Sequence, residues 1–216
     1  VAVVEDAAAR GDAATAAAWL PVREFRSTTR FSRPAIGATL AVQALATGES
    51  SAEEVLVAVR ADLLDTYQGE LNQALHELAE ADARGFGVRR AELAALAEGY
   101  FFILAPAYAR ERGDGAQRDA HAALAALRAA ALGGEDIQLP LVQVEQVLRG
   151  FRAAPLTPEE QARRAGQLLR YLSLVPLEYG RGVNGDQVMH DFEIQEAITF
   201  HAGAQAAFSD LQAVLD

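Results

Sequence analysis

Apolar residues recur at intervals of three or four along almost the whole of this 216-residue chain. The longest regular run lies within residues 51–83 and consists of Val55, Val59, Leu63, Tyr67, Leu71, Leu75 and Leu78. This spacing places the side chains on one face of an α-helix. The strict alternation of a half-buried strand is nearly absent. The sequence therefore predicts an all-α fold.

Glycines, prolines and capping residues divide this pattern into seven to eight helices. Ser51 with Glu54, and Thr157 with Glu160, have the spacing of capping boxes at two helix starts. The predicted helices span about 3–19, 34–48, 51–83, 88–112, 117–132, 140–151, 157–179 and 190–215, with a kink expected at Pro106. Helices of this length and number are typical of an up-and-down bundle.

The chain is long enough, and at 51% hydrophobic residues apolar enough, to bury a full core. No stretch has the composition of a flexible linker, so we expect residues 1–216 to form a single domain. Two long-helix, glycine-turn, helix units have their turns near Gly85 and Gly185. They indicate a weak internal repeat and two packed helix-turn-helix halves.

Charge and cysteine content exclude several classes of function. The formal net charge of −11 repels a phosphate backbone, so no nucleic-acid partner is expected. The absence of cysteine excludes zinc–thiolate sites, iron–sulfur clusters and dithiol redox chemistry. The longest apolar run, residues 100–109, has about half of the roughly 20 residues that a membrane-spanning helix needs.

Candidate metal ligands gather around one predicted helix-turn-helix corner. His190 and Glu193 are three residues apart, as are Glu193 and Glu196, so each pair lies on one side of a helix. Glu178 lies near a helix C-terminus, where a negative charge is disfavoured unless Arg181 or a bound cation neutralises it. Acids at a helix start are also favoured by the helix dipole alone. Both interpretations stay open.

Two further features have a structural and a functional interpretation. His201 falls within the apolar stripe predicted for the last helix, as a core histidine or as a buried ligand or proton-sensitive group. That stripe consists of Ile194, Ile198, His201, Phe208, Leu211 and Leu215. A basic cluster is formed by Arg23, Arg26, Arg30 and Arg33. These arginines either pair with the protein's own acids or form an anion site or partner-docking patch.

The predicted corner resembles a known family. Tyr179, Val183, Val188, Glu193, Glu196 and Phe200 match a pattern in the extracytoplasmic domain at the N-terminal side of bacterial high-affinity iron permeases. Ile194, Thr199 and the order of Gly185 and Asp186 depart from it. Residues 23–45 are also similar to the start of that domain.

The resemblance implies a soluble extracytoplasmic domain in the periplasm or cell envelope, either free or tethered to the membrane. It would bind iron, or another divalent metal, and deliver it to a membrane permease domain or to iron-uptake partner proteins. Because an acid commonly precedes this tyrosine in the family, the resemblance adds weight to Glu178 as a ligand. The chain lacks the Arg-Glu-x-x-Glu motif that the family uses for transport, so permease activity of its own is not expected.

Two other classes of function remain in competition. One is a metal-free helical interaction module that docks a membrane partner. The other is a helical-bundle enzyme with an unrecognised carboxylate site. The di-iron form of such an enzyme needs Glu-x-x-His motifs, but the residues three before the four histidines are Gln73, Arg118, Gln187 and Ile198. An enzyme is therefore not expected.

Overall fold

A computed structural model describes residues 2–22, 37–185 and 187–215 of the chain. Within these ranges it has eight α-helices, which confirms the all-α prediction. They are α1 (Ala2–Ala9), α2 (Ala13–Trp19), α3 (Ala38–Thr47), α4 (Ala52–Ala83), α5 (Gly87–Gly133), α6 (Gln138–Leu148), α7 (Pro158–Gly182) and α8 (Asp191–Leu215). A 3₁₀ turn, Leu20–Val22, follows α2. Two short antiparallel strands, β1 (Val183–Asn184) and β2 (Gln187–Val188), connect α7 to α8.

Both predicted capping boxes are present. The Glu54 amide donates to Ser51 Oγ at 3.3 Å, and the Ser51 amide donates to Glu54 Oε2 at 2.8 Å. Thr157 and Glu160 make the same two bonds, at 3.3 and 2.8 Å. Each box satisfies backbone donors that the first turn of a helix leaves without a partner. These two starts fix where α4 and α7 begin.

Several predicted helix boundaries are wrong in detail. The single helix predicted over residues 3–19 is two helices, because Gly11 has a φ of +73° that a right-handed helix cannot include. The break predicted near Gly113 is a kink within α5, where that glycine has φ 85° and ψ 162°, whereas Pro106 lies within the helix. The predicted start of the second helix, Pro34, lies outside the described residues.

The chain divides into two compact units, Val1–Ala154 and Pro155–Asp216. Unit 1 contains α1 to α6, and unit 2 contains α7, the two strands and α8. A single domain over residues 1–216 and an internal repeat stay predictions.

Helix α4 organises the apolar core of unit 1. Its predicted stripe is buried, apart from Leu75, which is half-buried. The N-terminal half of α4 packs with α1, α2 and α3 in one cluster, whose members include Val4, Leu20, Val42, Val55, Val59 and Leu63. Its C-terminal half packs with α5 and α6 in a second cluster, whose members include Leu71, Leu78, Phe101, Leu104, Tyr108, Leu124 and Ile137. The removal of these side chains from water stabilises unit 1.

Polar side chains of α4 hold the end of unit 1 in place. The Gln68 side chain donates to the carbonyl of Phe151 and accepts from the amide of Ala153, both at 2.7 Å. The buried carboxylate of Asp65 forms an ion pair with Arg152 at 2.9 Å. The segment after α6 is therefore fixed to α4 by hydrogen bonds as well as by packing.

Unit 2 is a helical hairpin in which α7 and α8 run antiparallel. On α7 the inner stripe, defined here as the buried or half-buried positions that recur every three or four residues, consists of Arg164, Leu168, Tyr171, Val175 and Glu178. On α8 it consists of Glu193, Ala197, Phe200, Ala204, Ala207 and Leu211. The rings of Tyr171 and Phe200 stack with their centroids 6.1 Å apart. Small residues on α8 let the two helices approach closely.

The apolar stripe predicted for the last helix is therefore wrong by about one residue over residues 198–208, whereas Leu211 is buried as predicted. Ile198, His201 and Phe208 are exposed, whereas Ala197, Ala204 and Ala207 are buried. The prediction followed the largest apolar side chains, but the inner stripe of α8 is built mainly from alanine. His201 is consequently neither a core histidine nor a buried ligand in unit 2.

Candidate metal centre

The candidate metal centre lies at the closed end of the unit 2 hairpin. Glu178 is in the last turn but one of α7, and Glu193 is in the first turn of α8. Glu196 follows three residues later, on the same side of α8 as Glu193. The two-strand connection reverses the chain in a few residues, with Val183 paired to Val188. This reversal brings the end of one helix beside the start of the next.

Gly182 makes this close approach feasible. Its carbonyl accepts from the amides of Met189 and His190 at 2.8 and 3.2 Å, which closes the connection on the last turn of α7. A Cβ atom at this position would lie 2.6 Å from Cδ1 of Ile194 and 3.2 Å from the carbonyl oxygen of His190. Because carbon atoms pack at about 3.5–4.0 Å, a larger residue would push α8 away from α7.

Three carboxylates converge at this corner. One oxygen from each of Glu178, Glu193 and Glu196 lies within 4.8 Å of the other two. Glu178 is buried, while Glu193 and Glu196 are half-buried. We call these three residues the glutamate triad. The sequence indicated each of them, and the structure brings the three together.

Repulsion within the triad affects the pKa of Glu193. The pKa of Glu193 is raised above its ordinary value of 4.5, chiefly because its carboxyl group hydrogen-bonds to Glu178. Partial burial and the negative charges of Glu178 and Glu196 act in the same direction, and Arg181 acts against them. Carboxylates this close disfavour simultaneous ionisation. A cation at this position would relieve the same repulsion.

Arg181 supplies part of the neutralisation that a carboxylate near a helix C-terminus requires. Its Nη1 donates to both oxygens of Glu178, at 3.1 and 2.9 Å. With all three acids ionised, this single guanidinium leaves the corner with a formal charge of −2. Arg181, one of the two partners expected to neutralise Glu178, is therefore present. Its single positive charge does not neutralise the three carboxylates of the triad.

The other predicted site residues are not part of this arrangement. His190 is exposed, and among the described residues it does not belong to the group of acids that gather within ligand distance. Arg23, Arg26, Arg30 and Arg33 lie outside the described residues, so the predicted anion or partner patch stays a prediction.

Sequence reasoning missed two residues that shape the corner and the hairpin. Gly182 gives no signal in the sequence, because the close approach of the Ile194 side chain to it depends on the three-dimensional path of the connection. Arg164 is buried and pairs through Nη2 with Oδ2 of Asp210 at 2.6 Å, at the open end of the hairpin. Because Arg164 and Asp210 are 46 residues apart in the chain, no local pattern in the sequence indicates this ion pair.

The triad fits a hard or borderline cation. Carboxylate oxygens are the ligands that such ions prefer. Two oxygens on opposite sides of one ion lie about 4 Å apart when each metal–oxygen bond is about 2.0–2.2 Å. The separations of up to 4.8 Å in the triad therefore need only small side-chain rotations to close on an ion.

Unit 1 offers no comparable donor set among its described residues. A groove of about 750 Å³ lies between α2 and α3. Apolar and small side chains line it, with Thr39 and Gln43 as its only polar ones. The triad is the one group of three or more potential ligands in the described part of the chain.

Comparison with protein-family models identifies the family of the chain. Residues 1–147 match the model described as the iron permease FTR1 N-terminal domain. The chain belongs to the iron permease family. Residues 157–216 match a second model, the iron permease-associated four-helix bundle domain. Comparison with curated proteins and with solved structures gives no significant match.

The two matches confirm the resemblance drawn from the sequence and cover both structural units. The iron permease family is a family of transporters that act at membranes, so the chain is associated with iron transport through an iron permease. Within the described ranges, no helix combines the length and the apolar character that crossing a bilayer requires. The glutamate triad falls within the four-helix bundle match.

Proposed function

We propose that this chain is a non-enzymatic, extracytoplasmic part of a high-affinity iron permease that binds iron and delivers it to the membrane permease domain. The observation that carries the proposal is the glutamate triad, in which three carboxylate oxygens lie within 4.8 Å of one another. Membership in an iron transport family makes iron the expected cargo. The oxygen donors suit ferric and ferrous ions, and other divalent metals are weaker candidates.

The roles of the three acids follow from their positions. Glu178 is the buried ligand, and its position on α7 is fixed by the inner stripe. Glu193 and Glu196, both half-buried on α8, are the ligands through which an ion enters from solvent. His190 is a secondary ligand that approaches only if its exposed side chain turns toward the triad.

A partly buried, incomplete ligand set suits delivery better than storage. Three carboxylates leave coordination positions that water or an acceptor protein can occupy, so the ion is exchangeable. Arg181 competes with the ion for Glu178 and favours release. These features support transfer of iron toward a membrane partner.

Equilibrium metal binding tests this proposal. The purified, metal-stripped chain is titrated with ferrous ion under anaerobic conditions, with ferric citrate, and with cupric and zinc ions. We expect one site of micromolar or tighter affinity for iron, and Glu193→Gln/Glu196→Gln should weaken it by about a hundredfold or more.

A matched control removes the same number of charges elsewhere. Glu53→Gln/Glu145→Gln changes two exposed acids of unit 1 and should leave iron affinity unchanged. Absence of iron binding, or binding that the triad variant retains, would contradict the proposal. The metal-free interaction module would then be the better account.

A further inference from the structure

Arg181 contacts the glutamate triad through only part of its guanidinium. Both of its hydrogen bonds to Glu178 come from one nitrogen, Nη1. Within the described part of the chain, Nε and Nη2 have no hydrogen-bond partner, and the side chain is 58% exposed. The N–H groups of Nε and Nη2 lie in one plane and form a fork that fits two oxygens of an oxyanion. Arg181 therefore presents an anion-binding edge beside the triad.

This edge lies close to the position that an ion would take in the triad. Nη1 of Arg181 is 2.9 Å from Oε2 of Glu178. An ion bonded to that oxygen at about 2.1 Å would lie no more than about 5 Å from Nη1. A small oxyanion can span such a gap, because one of its oxygens bonds to the ion while another accepts from the guanidinium. The ion and Arg181 are thus close enough to share one ligand.

Formal charge distinguishes the two oxidation states of iron at this corner. Three ionised carboxylates and the guanidinium of Arg181 sum to a formal charge of −2. Ferrous ion brings this sum to zero, whereas ferric ion leaves one positive charge. A charge in a partly buried position is costly unless an opposite charge compensates it. Only ferric ion therefore requires an added anion here.

The coordination shell of the ion points to the same kind of ligand. Three carboxylates fill part of the shell, and water takes the remaining positions. A metal ion lowers the pKa of the water bound to it, so ferric ion in an open site is prone to hydrolysis. An oxyanion in place of that water protects the ion from hydrolysis.

We propose that the triad binds ferric ion together with a small carboxylate-type oxyanion, such as carbonate, that bridges the ion and Arg181. The inference rests on the proposed function, because it requires iron at the triad. Without iron, the negative charge of the corner repels an anion. Without the anion, ferric ion leaves an uncompensated charge. Each ligand therefore strengthens the binding of the other, and this coupling is reciprocal.

The bridging anion also gives Arg181 a role in release. With both ligands bound, the guanidinium holds the anion and Glu178 holds the ion. When the anion leaves, the guanidinium returns to Glu178, its partner in the structure, and weakens the binding of ferric ion. Loss of the anion thus favours transfer of iron to the membrane partner.

Equilibrium competition on the full chain tests the inference. Ferric ion is buffered with acetohydroxamate, a chelator without a carboxylate, in carbonate-free medium at fixed pH. Bicarbonate, acetate or chloride is then added at equal ionic strength. We expect bicarbonate to raise ferric affinity at least about tenfold relative to chloride. An equal rise with acetate would support the carboxylate of an organic iron carrier as the bridging group, and a rise with bicarbonate alone would support carbonate.

Variants of Arg181 separate the fork from its charge. Arg181→Lys keeps the positive charge but loses the planar fork, so the bicarbonate effect should fall to less than about twofold. Arg181→Gln should lose the bicarbonate effect as well, although it binds ferric ion more tightly than the unaltered chain in chloride. Arg170→Gln, at an exposed position on the same helix, should retain the full effect.

Ferrous ion, titrated without oxygen, distinguishes a failure of the inference from a failure of the proposed function. It should bind equally in all three salts. Absence of binding by either ion would contradict the proposed function and the inference together. Ferric binding that requires Glu193 and Glu196 but is equal in bicarbonate, acetate and chloride would overturn the inference alone. So would an anion effect that Arg181→Lys and Arg181→Gln both retain.

Discussion

Arg181 donates from one guanidinium nitrogen to both carboxylate oxygens of Glu178, the buried member of the glutamate triad. The arginine side chain is itself more than half exposed, whereas the glutamate side chain is almost wholly buried. The ion pair therefore has one fixed partner and one that can leave. An arriving cation would take the place of the guanidinium.

Replacement of Arg181 should strengthen iron binding. Arg181→Gln removes a positive charge beside the triad, so we expect affinity at neutral pH to rise by about tenfold at low ionic strength and by less in high salt. Isothermal titration calorimetry measures the change. Arg170→Gln is the matched control, because Arg170 is exposed on the same helix, eight residues before Glu178. Equal effects of the two changes would show that only overall charge matters.

The raised pKa of Glu193 predicts how stability depends on pH. Above the ordinary value of 4.5 the unfolded chain has lost this proton while the folded chain retains it, so the folded state loses stability as pH rises through the raised pKa. Glu193→Gln mimics the protonated form. It should increase the free energy of unfolding at pH 7 and have little effect at pH 4, as measured by urea denaturation.

The effect of Glu54 on stability should depend on pH in the direction opposite to that of Glu193. Hydrogen bonds from Ser51 lower the pKa of this carboxyl, so its stabilising effect is present above the ordinary value of 4.5 and is lost as pH falls. Glu54→Gln should therefore decrease stability at pH 7 and have less effect at low pH. If both variants respond to pH in the same direction, the repulsion assigned to the triad is wrong.

Substitution of Gly182 tests whether the close approach of α7 and α8 is needed for stability and for iron binding. Gly182→Ala should cost about 1–3 kcal/mol of unfolding free energy and weaken iron binding, because the new methyl group meets Ile194. Gly180→Ala is the control, since a Cβ there has no atom within 4 Å, and alanine is favoured over glycine in a helix by up to about 1 kcal/mol.

Removal of the Ile194 side chain tests whether its contact with the added methyl group causes the loss of stability in Gly182→Ala. Ile194→Ala makes room for the added methyl group, so the double variant with Gly182→Ala should lose less stability than the two single changes together. Strict additivity of the two costs would contradict the crowding at this corner.

The ion pair between Arg164 and Asp210 should hold the open end of the hairpin. Arg164→Ala leaves Asp210 without this partner in a mostly buried position, and we expect a cost of about 3 kcal/mol. Hydrogen exchange read separately for α7 and α8 reports the loss in unit 2. Arg163→Ala, at an exposed neighbouring position, should change exchange little.

The fold was largely predictable because its signals are local. The two capping boxes and the stripe of α4 depend on a few neighbouring residues, and both appear where the sequence placed them. The glycine signals were less exact, because the break at Gly11 was missed and the break at Gly113 is a kink within α5. The inner stripe of α8 was not predictable from hydrophobicity, because alanine faces α7 while Ile198 and Phe208 face outward. Hydrophobicity identifies the side chains that require burial but not the surface that buries them.

The candidate site was predictable in part for the same reason. The spacing of Glu193 and Glu196 on one helix is a local pattern, and the unfavourable position of Glu178 at a helix end pointed to a partner. The close contact that Gly182 allows depends on the path of the connecting strands, which no short-range pattern specifies. The exposure of His190 likewise depends on that path.

Anomalous diffraction at the iron absorption edge, from crystals of the full chain grown or soaked with iron, tests the central claim most directly. The account predicts the strongest peak about 2.0–2.2 Å from one oxygen each of Glu178, Glu193 and Glu196, with Arg181 displaced from Glu178. Iron bound elsewhere on the chain, with the triad hydrogen-bonded as it is without metal and Arg181 still on Glu178, would contradict it.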